Sequence, residues 1–178
     1  MDFSIGQNIV HPAHGPGTIV GVEERELVKG FHHFYVIEFV RSRLTVRIPF
    51  RRAGQIGIRD VMSEERFQRV LDTLRAIPKQ LQDDFKSRRH NVEALLCSGR
   101  PTQIAIAVRD LTWRKFDRHL TKSDAEQLSK GRDLLATEVA MANGADVQEA
   151  GKIIRAAVAV AIANKQALRQ EELDAEMV

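Results

Sequence analysis

Asn8-Ile-Val-His-Pro-Ala-His-Gly-Pro-Gly-Thr-Ile-Val-Gly-Val-Glu23 decides how this chain is read. Short β-branched runs are broken by Pro12, Gly15, Pro16, Gly17 and Gly21, the pattern of strands joined by tight turns. Thr18 to Glu23 reads as a strand, and so do Phe34 to Val40 and Leu44 to Pro49, the last with alternating Leu44, Val46 and Ile48. Lys29-Gly30 and Arg41-Ser42-Arg43 supply the turns between them. Four or five short strands in the first 60 or so residues predict a small barrel of SH3 or Tudor type.

Near residue 60 the character changes. Ser63 followed by Glu64 and Glu65 is a helix start, with a capping hydroxyl and acids at the positive end of the helix dipole. Phe67, Val70, Leu71 and Leu74 then recur at helical spacing up to Pro78, and the next helix runs to Ser98-Gly99. Pro101 suits the first turn of another, and Thr121 with Asp124 forms a capping box for a further one, closed by Asn143-Gly144. Asp146 opens the last, with Ile153, Ile154, Val158 and Ala161 facing inward. The polar tail after Gln166 is expected to fray. The fold class is therefore α+β: an N-terminal SH3/Tudor-like β-barrel over residues 1–60, then an all-helical domain over 61–178. Two unlike modules point to a connector of partners rather than a catalyst.

Composition agrees with this. The 178 residues are 43% hydrophobic and 29% charged, ordinary for a folded chain, and a net charge of +3 permits nucleic-acid contact without demanding it. One cysteine, Cys97, excludes an internal disulfide and fits a reducing cytoplasm. The start of the chain lacks the basic, then apolar, pattern of a signal peptide, and Ile153 to Ala163 is too short and too charged to span a bilayer. Neither a phosphate-binding loop, a nucleophile elbow nor a dinucleotide fingerprint occurs, so no enzyme is expected, and no cofactor. His11 and His14, and the pair His32-His33, lack the company of further ligands, so no metal is expected. Cys97, with no base beside it, reads as a buried or inert thiol, and Trp113 as a helix residue packed beside Phe116.

Two readings stay open for Phe85 and the cations that follow it. Lys86, Arg88, Arg89 and His90 form either a solvated helix face or a set of phosphate contacts. Phe85, an aromatic in a polar run, is either a local core anchor or an exposed wedge for a base step.

Several motifs carry a resemblance: Gly6 with Val10, His11, Pro12, His14 and Gly15, then Leu44-Thr-Val-Arg-Ile-Pro49, Ile56-Gly-Ile-Arg-Asp-Val61 and Val108-Arg-Asp-Leu111. Over roughly residues 3 to 160 the chain resembles the CarD family of bacterial transcription regulators, whose N-terminal module is shared with transcription-repair coupling factors. The resemblance implies a non-enzymatic protein, and a cytoplasmic monomer is expected. Its barrel would bind the RNA polymerase β subunit, and its helical domain would contact promoter DNA in the minor groove, with little sequence preference, at the upstream edge of the bubble. For polymerase binding it implies the basic residues Arg25 and Arg47, and the strand Leu44, Thr45, Val46, Arg47, Ile48 and Pro49 is the candidate edge that could pair with the partner by strand addition. For DNA it implies Phe85, Lys86, Arg88, Arg89, Lys130 and Arg132, the last two being equally readable as a solvated helix face. Counted back without gaps from Ser98-Gly99, Phe85 stands where the family places a tryptophan wedge, which implies weaker or altered bubble stabilisation. The alternative is a polymerase-bound adaptor that recruits another protein without touching DNA.

Overall fold

The computed structural model describes residues 3–39 and 42–176. Five strands come first: β1 (Asn8–His11), β2 (Gly15–Val28), β3 (Phe31–Phe39), β4 (Leu44–Pro49) and β5 (Arg59–Asp60). They pair antiparallel in the order β4-β3-β2-β1-β5, a small barrel-like sheet that does not close, which fits the expected Tudor-like module. The far end of the expected second strand, Val40, and Arg41 of the turn after it lie outside the described residues. A short helix, α1 (Phe50–Ile56), connects β4 to β5. It starts after Pro49 and stops at Gly57, whose φ of 87° only glycine adopts without strain.

Alternation puts Ile19, Tyr35, Ile37 and Ile48 on one face of the sheet, and with Phe3, Ile9, Phe39, Ala53 and Ile58 they form the first core. The hairpin from β1 into β2 closes on Gly15, with φ of 79°. A Cβ there would lie 2.5 Å from Leu134 Cδ2, so the turn packs closely on the helical half, and its positive φ is what calls for glycine.

The helices are α2 (Glu64–Arg75), α3 (Phe85–Leu96), α4 (Pro101–Asp117), α5 (Lys122–Asn143) and α6 (Val147–Glu176). Their ends follow local chemistry. The Ser63 hydroxyl accepts from Arg66 N–H; Thr121 and Asp124 make a reciprocal capping box; Gly144 closes α5 with φ of 63°. Phe67, Val70, Leu74, Val92, Leu96, Val108, Leu111, Leu135 and Ile154 belong to the second core. The Arg109-Asp110 pair of the Val108–Leu111 motif is buried inside the helical half. Asp110 accepts from Arg109 Nε at 2.7 Å and from Lys79 N–H at 3.0 Å, and Arg109 Nη1 donates to Thr73 O, which ties the end of α2 to α4.

Two expectations about α6 need correction. Ile153 is exposed, because the inward stripe runs through Ala150, Ile154, Ala157, Val158 and Ala161 instead. The tail does not fray: α6 continues to Glu176, carried by residues of high helix propensity such as Ala167, Leu168, Arg169, Gln170 and Glu171.

The two halves are in contact. Arg59 of β5 reaches Glu138 of α5 through two hydrogen bonds, Nη1 to Oε1 at 2.6 Å and Nη2 to Oε2 at 3.0 Å, and Arg59 Nε donates to Gly99 O at 2.7 Å. Glu138 Oε1 also accepts from Met62 N–H at 2.9 Å. Beside this clasp, Pro12 lies under Gly57 and Gly99, where added Cβ atoms would stand 3.4 and 3.6 Å from its ring.

Candidate polymerase and nucleic-acid interfaces

Strand β4 pairs with β3 on one side only and ends the sheet. Its other edge presents the N–H and C=O groups that a further strand could use. Leu44, Thr45 and Arg47 are exposed, Val46 and Pro49 half-buried, and Ile48 is fixed in the core, which sets the register. Arg47 Nε donates to Glu23 Oε2 at 2.8 Å and its Nη2 to Oε1 at 3.0 Å, a two-pronged pair across the outer face of the sheet. The hydrogen bond from Arg47 holds the Glu23 carboxyl below its ordinary pKa against a small opposing effect of burial, and Arg47 and Arg25 add their charges to the same end. Arg25 is itself exposed. Arg25 and Arg47 thus flank the Glu23 carboxylate beside the free edge.

The six residues expected to meet DNA do not share one surface. Phe85 is the first residue of α3, 42% exposed and outside both cores, so the core-anchor reading fails. Asp84 caps the helix by accepting from Ser87 N–H at 2.8 Å. Lys86, Arg89 and His90 are exposed around Phe85. Arg88 is different: it is buried, and Asp124 accepts from its Nε at 3.0 Å and its Nη2 at 3.2 Å. Its Nη1 donates to the carbonyls of Gln82 and Asp83 at 2.9 and 2.8 Å. That guanidinium is consumed inside the domain and offers nothing to a phosphate, a correction to its reading as a DNA contact. It supports Phe85 instead, lying 5.8 Å from the ring centroid.

Lys130 and Arg132 part company because two residues along a helix are about 200° apart. Lys130 turns toward α3, where its Nζ donates to Glu93 Oε1 at 2.7 Å. Hydrogen bonds from Lys130 and then Cys97, with a smaller one from Gln127, lower the Glu93 pKa to about 2 against burial, so part of the lysine charge is already answered. Arg132 turns the other way, into a groove between α4, α5 and α6, donating to Thr112 Oγ1 at 3.2 Å. It leaves the face that carries Phe85.

Cys97 is an exposed residue whose sulfur is partly shielded, and that desolvation, with a hydrogen bond to Glu93, pushes its thiol pKa up, away from nucleophile chemistry. Trp113 is buried and stacks on Phe116 at 5.6 Å. His11 Nδ1 accepts from the backbone N–H of Ala13 and His14; burial, and then the nearby His14, lower its pKa to about 4. It serves as a neutral acceptor that shapes the β1–β2 turn.

Residues 3–62 match the family model described as the CarD-like/TRCF RID domain, and residues 69–155 match CarD, C-terminal domain. The chain belongs to the CarD family. Among relatives, YdeB of Bacillus subtilis (strain 168), by its name a candidate transcription factor, is 28% identical over 142 residues, covering 80% of this chain and 93% of its own. A CarD-like transcription factor interacts with RNA polymerase, and the family is generally non-enzymatic. The first CarD match ends at Met62, whose side chain packs in the helical core, and β5 ends at Asp60. No described helix is long and apolar enough to cross a membrane.

Proposed function

We propose that this CarD-family protein binds the β subunit of RNA polymerase by adding the free edge of β4 to a strand of the partner, with Arg25 and Arg47 facing acidic groups beside it. Through the same body it sets Phe85 against promoter DNA at the upstream edge of the melted region. Lys86 and Arg89, with Lys130 on the flank, contact phosphates, while the ring occupies a widened minor-groove step and slows reannealing. Attachment to polymerase raises the local concentration of a module whose own charge is too small for tight DNA binding. The observation that carries this reading is Phe85: exposed at a helix start, backed by the Arg88 guanidinium and ringed by free cations.

The test is open-complex lifetime with purified polymerase. Loss of a stacked ring is worth about 1–3 kcal/mol, so Phe85→Ala is expected to shorten the lifetime roughly tenfold with polymerase binding intact. A lifetime unchanged by Phe85→Ala rejects the wedge. Arg47→Glu sets a second carboxylate against Glu23 and is expected to abolish co-purification with polymerase. Because an exposed ion pair adds only about 0–1 kcal/mol, the variant's melting temperature should barely move. Normal co-purification of Arg47→Glu removes the edge assignment.

A further inference from the structure

A groove of about 510 Å³ lies between α4, α5 and α6, away from Phe85 and from β4. Its floor is apolar, with Phe116, Ile154 and Val158, and its rim carries Lys115, Arg132 and Arg155. The same three cations, with Asp133 beside them, also line the adjoining hollow on the α5 side. Arg132 is held half-buried close enough to Arg155 that, after burial, the second guanidinium is what lowers its pKa. Like charges crowded over an apolar floor call for an anionic, amphipathic occupant.

Helix α6 carries such a segment at its far end. Residues 150–169 hold Lys152, Arg155, Lys165 and Arg169 and no carboxylate; residues 170–176 hold Glu171, Glu172, Asp174 and Glu176 and no cation. Every residue from Gln166 to Glu176 is exposed, including Leu168 at 43% and Leu173 at 49%. Leu173 lies 18 residues after Arg155, five full helical turns, so it continues the face of α6 that lines the groove. The tail cannot fold back into its own groove, because the helix is continuous and Arg169 is pinned to Asp117 of α4 at 2.7 Å.

We propose that two copies of this chain associate through antiparallel α6 helices, the acidic end of each seated in the basic, apolar groove of the other. A two-fold axis near Gln166 brings Glu176 of one copy, about 32 Å along the helix from its own Arg155, onto the Arg155 of the second. Leu173 then covers Val158, and Lys115 and Arg132 face Glu172 and Glu176. Small residues along the seam, Ala159 and Ala163, let the helices approach. This arrangement differs from the expected monomer, and it stands apart from the polymerase and DNA readings since neither uses α6. The pairs are solvent-exposed, so the association is reversible and weakens with salt.

Sedimentation equilibrium of the full chain over a range of concentration and salt is the experiment. The expected result is a monomer–dimer equilibrium that salt weakens. Arg155→Glu should raise the dissociation constant roughly tenfold, because symmetry counts each reversal twice. Arg155→Glu combined with Glu176→Arg should restore dimerisation, and Leu173→Asp should abolish it. All these positions are exposed, so unchanged circular dichroism melts establish that each variant is folded. A monomer at every concentration, or a dimer indifferent to these substitutions, overturns the proposal.

Discussion

Asp124→Ala is expected to cost the fold about 3–5 kcal/mol, the range found when one partner of a buried ion pair is removed. Arg88 and Asp124 are 2% and 0% exposed, so water cannot replace the missing carboxylate. The stranded guanidinium would keep only the Gln82 and Asp83 carbonyls. The same substitution deletes half of the α5 capping box, since Asp124 Oδ2 accepts from Thr121 N–H at 3.2 Å. Removing both charges, as in Arg88→Met with Asp124→Leu, should cost less than Asp124→Ala alone, because the buried Arg88 guanidinium is no longer stranded, while Arg114, 3.9 Å from Asp124 Oδ2, keeps its second partner Asp83. Urea unfolding of the three proteins checks this, and an Asp124→Ala loss below about 1 kcal/mol would refute the account. The pH dependence has a definite sign. Burial tends to raise the Asp124 pKa, but hydrogen bonds from Arg88 and Thr121 outweigh it and the net shift is downward. A carboxylate with a depressed folded pKa contributes stability above its unfolded value and loses it as pH falls through the folded one. The penalty of Asp124→Ala should therefore be full at neutral pH and shrink below the ordinary carboxyl range.

Arg88 also shows how far the sequence could be read. Lys86, Arg88 and Arg89 look alike as a run of cations, and treating them as one face puts Arg88 on DNA. Helical phase tells them apart: Arg88, Val92 and Leu96 recur every four residues and form the buried stripe of α3, while Lys86 and Arg89 fall outside it. The same phase argument separates Lys130 from Arg132. Helix starts were legible because a cap is local chemistry, as at Ser63, Thr121 and Pro101. Helix α1 was missed although Pro49 and Gly57 bracket it, since seven residues with one buried position, Ala53, leave little periodicity to detect. The order of α6 beyond Gln166 was missed for a related reason: a segment exposed on every side has no apolar stripe, and only its propensity announces it. Strand β4 was legible as a strand, but its place at the sheet edge is a matter of pairing, which the sequence pattern of one strand does not carry.

Arg59→Ala should produce the second large effect, a loss of about 3 kcal/mol or more together with decoupling of the two modules. Arg59 and Glu138 are 79 residues apart, and their pairing joins β5 to the middle of α5. Glu138 is 1% exposed, so the variant leaves a buried carboxylate with Met62 N–H as its remaining donor. Arg59 is the more accessible partner, its side chain 21% exposed against 2% for Glu138. Glu138→Ala should therefore be the milder change, since water can reach the released guanidinium. The loss of Arg59 also frees the Gly99 carbonyl at the end of the α3–α4 turn, against which Pro12 packs. With clasp and packing intact, the sheet and the helices should unfold in one cooperative transition. In Arg59→Ala the sheet, which has the smaller core, should melt first and separately. Following Trp113 fluorescence in the helical half alongside far-ultraviolet circular dichroism distinguishes the two cases, because the probes coincide only if the modules unfold together. Coincident transitions in Arg59→Ala at the parent midpoint would show that the clasp does not join the modules. The functional consequence follows from geometry. If β4 holds polymerase and Phe85 meets DNA, their relative direction is fixed by the contact between sheet and helices, of which this ion pair is the charged part. Arg59→Ala should then shorten open-complex lifetime while polymerase binding persists, because a loosely hinged tether delivers the ring to the right neighbourhood without aiming it.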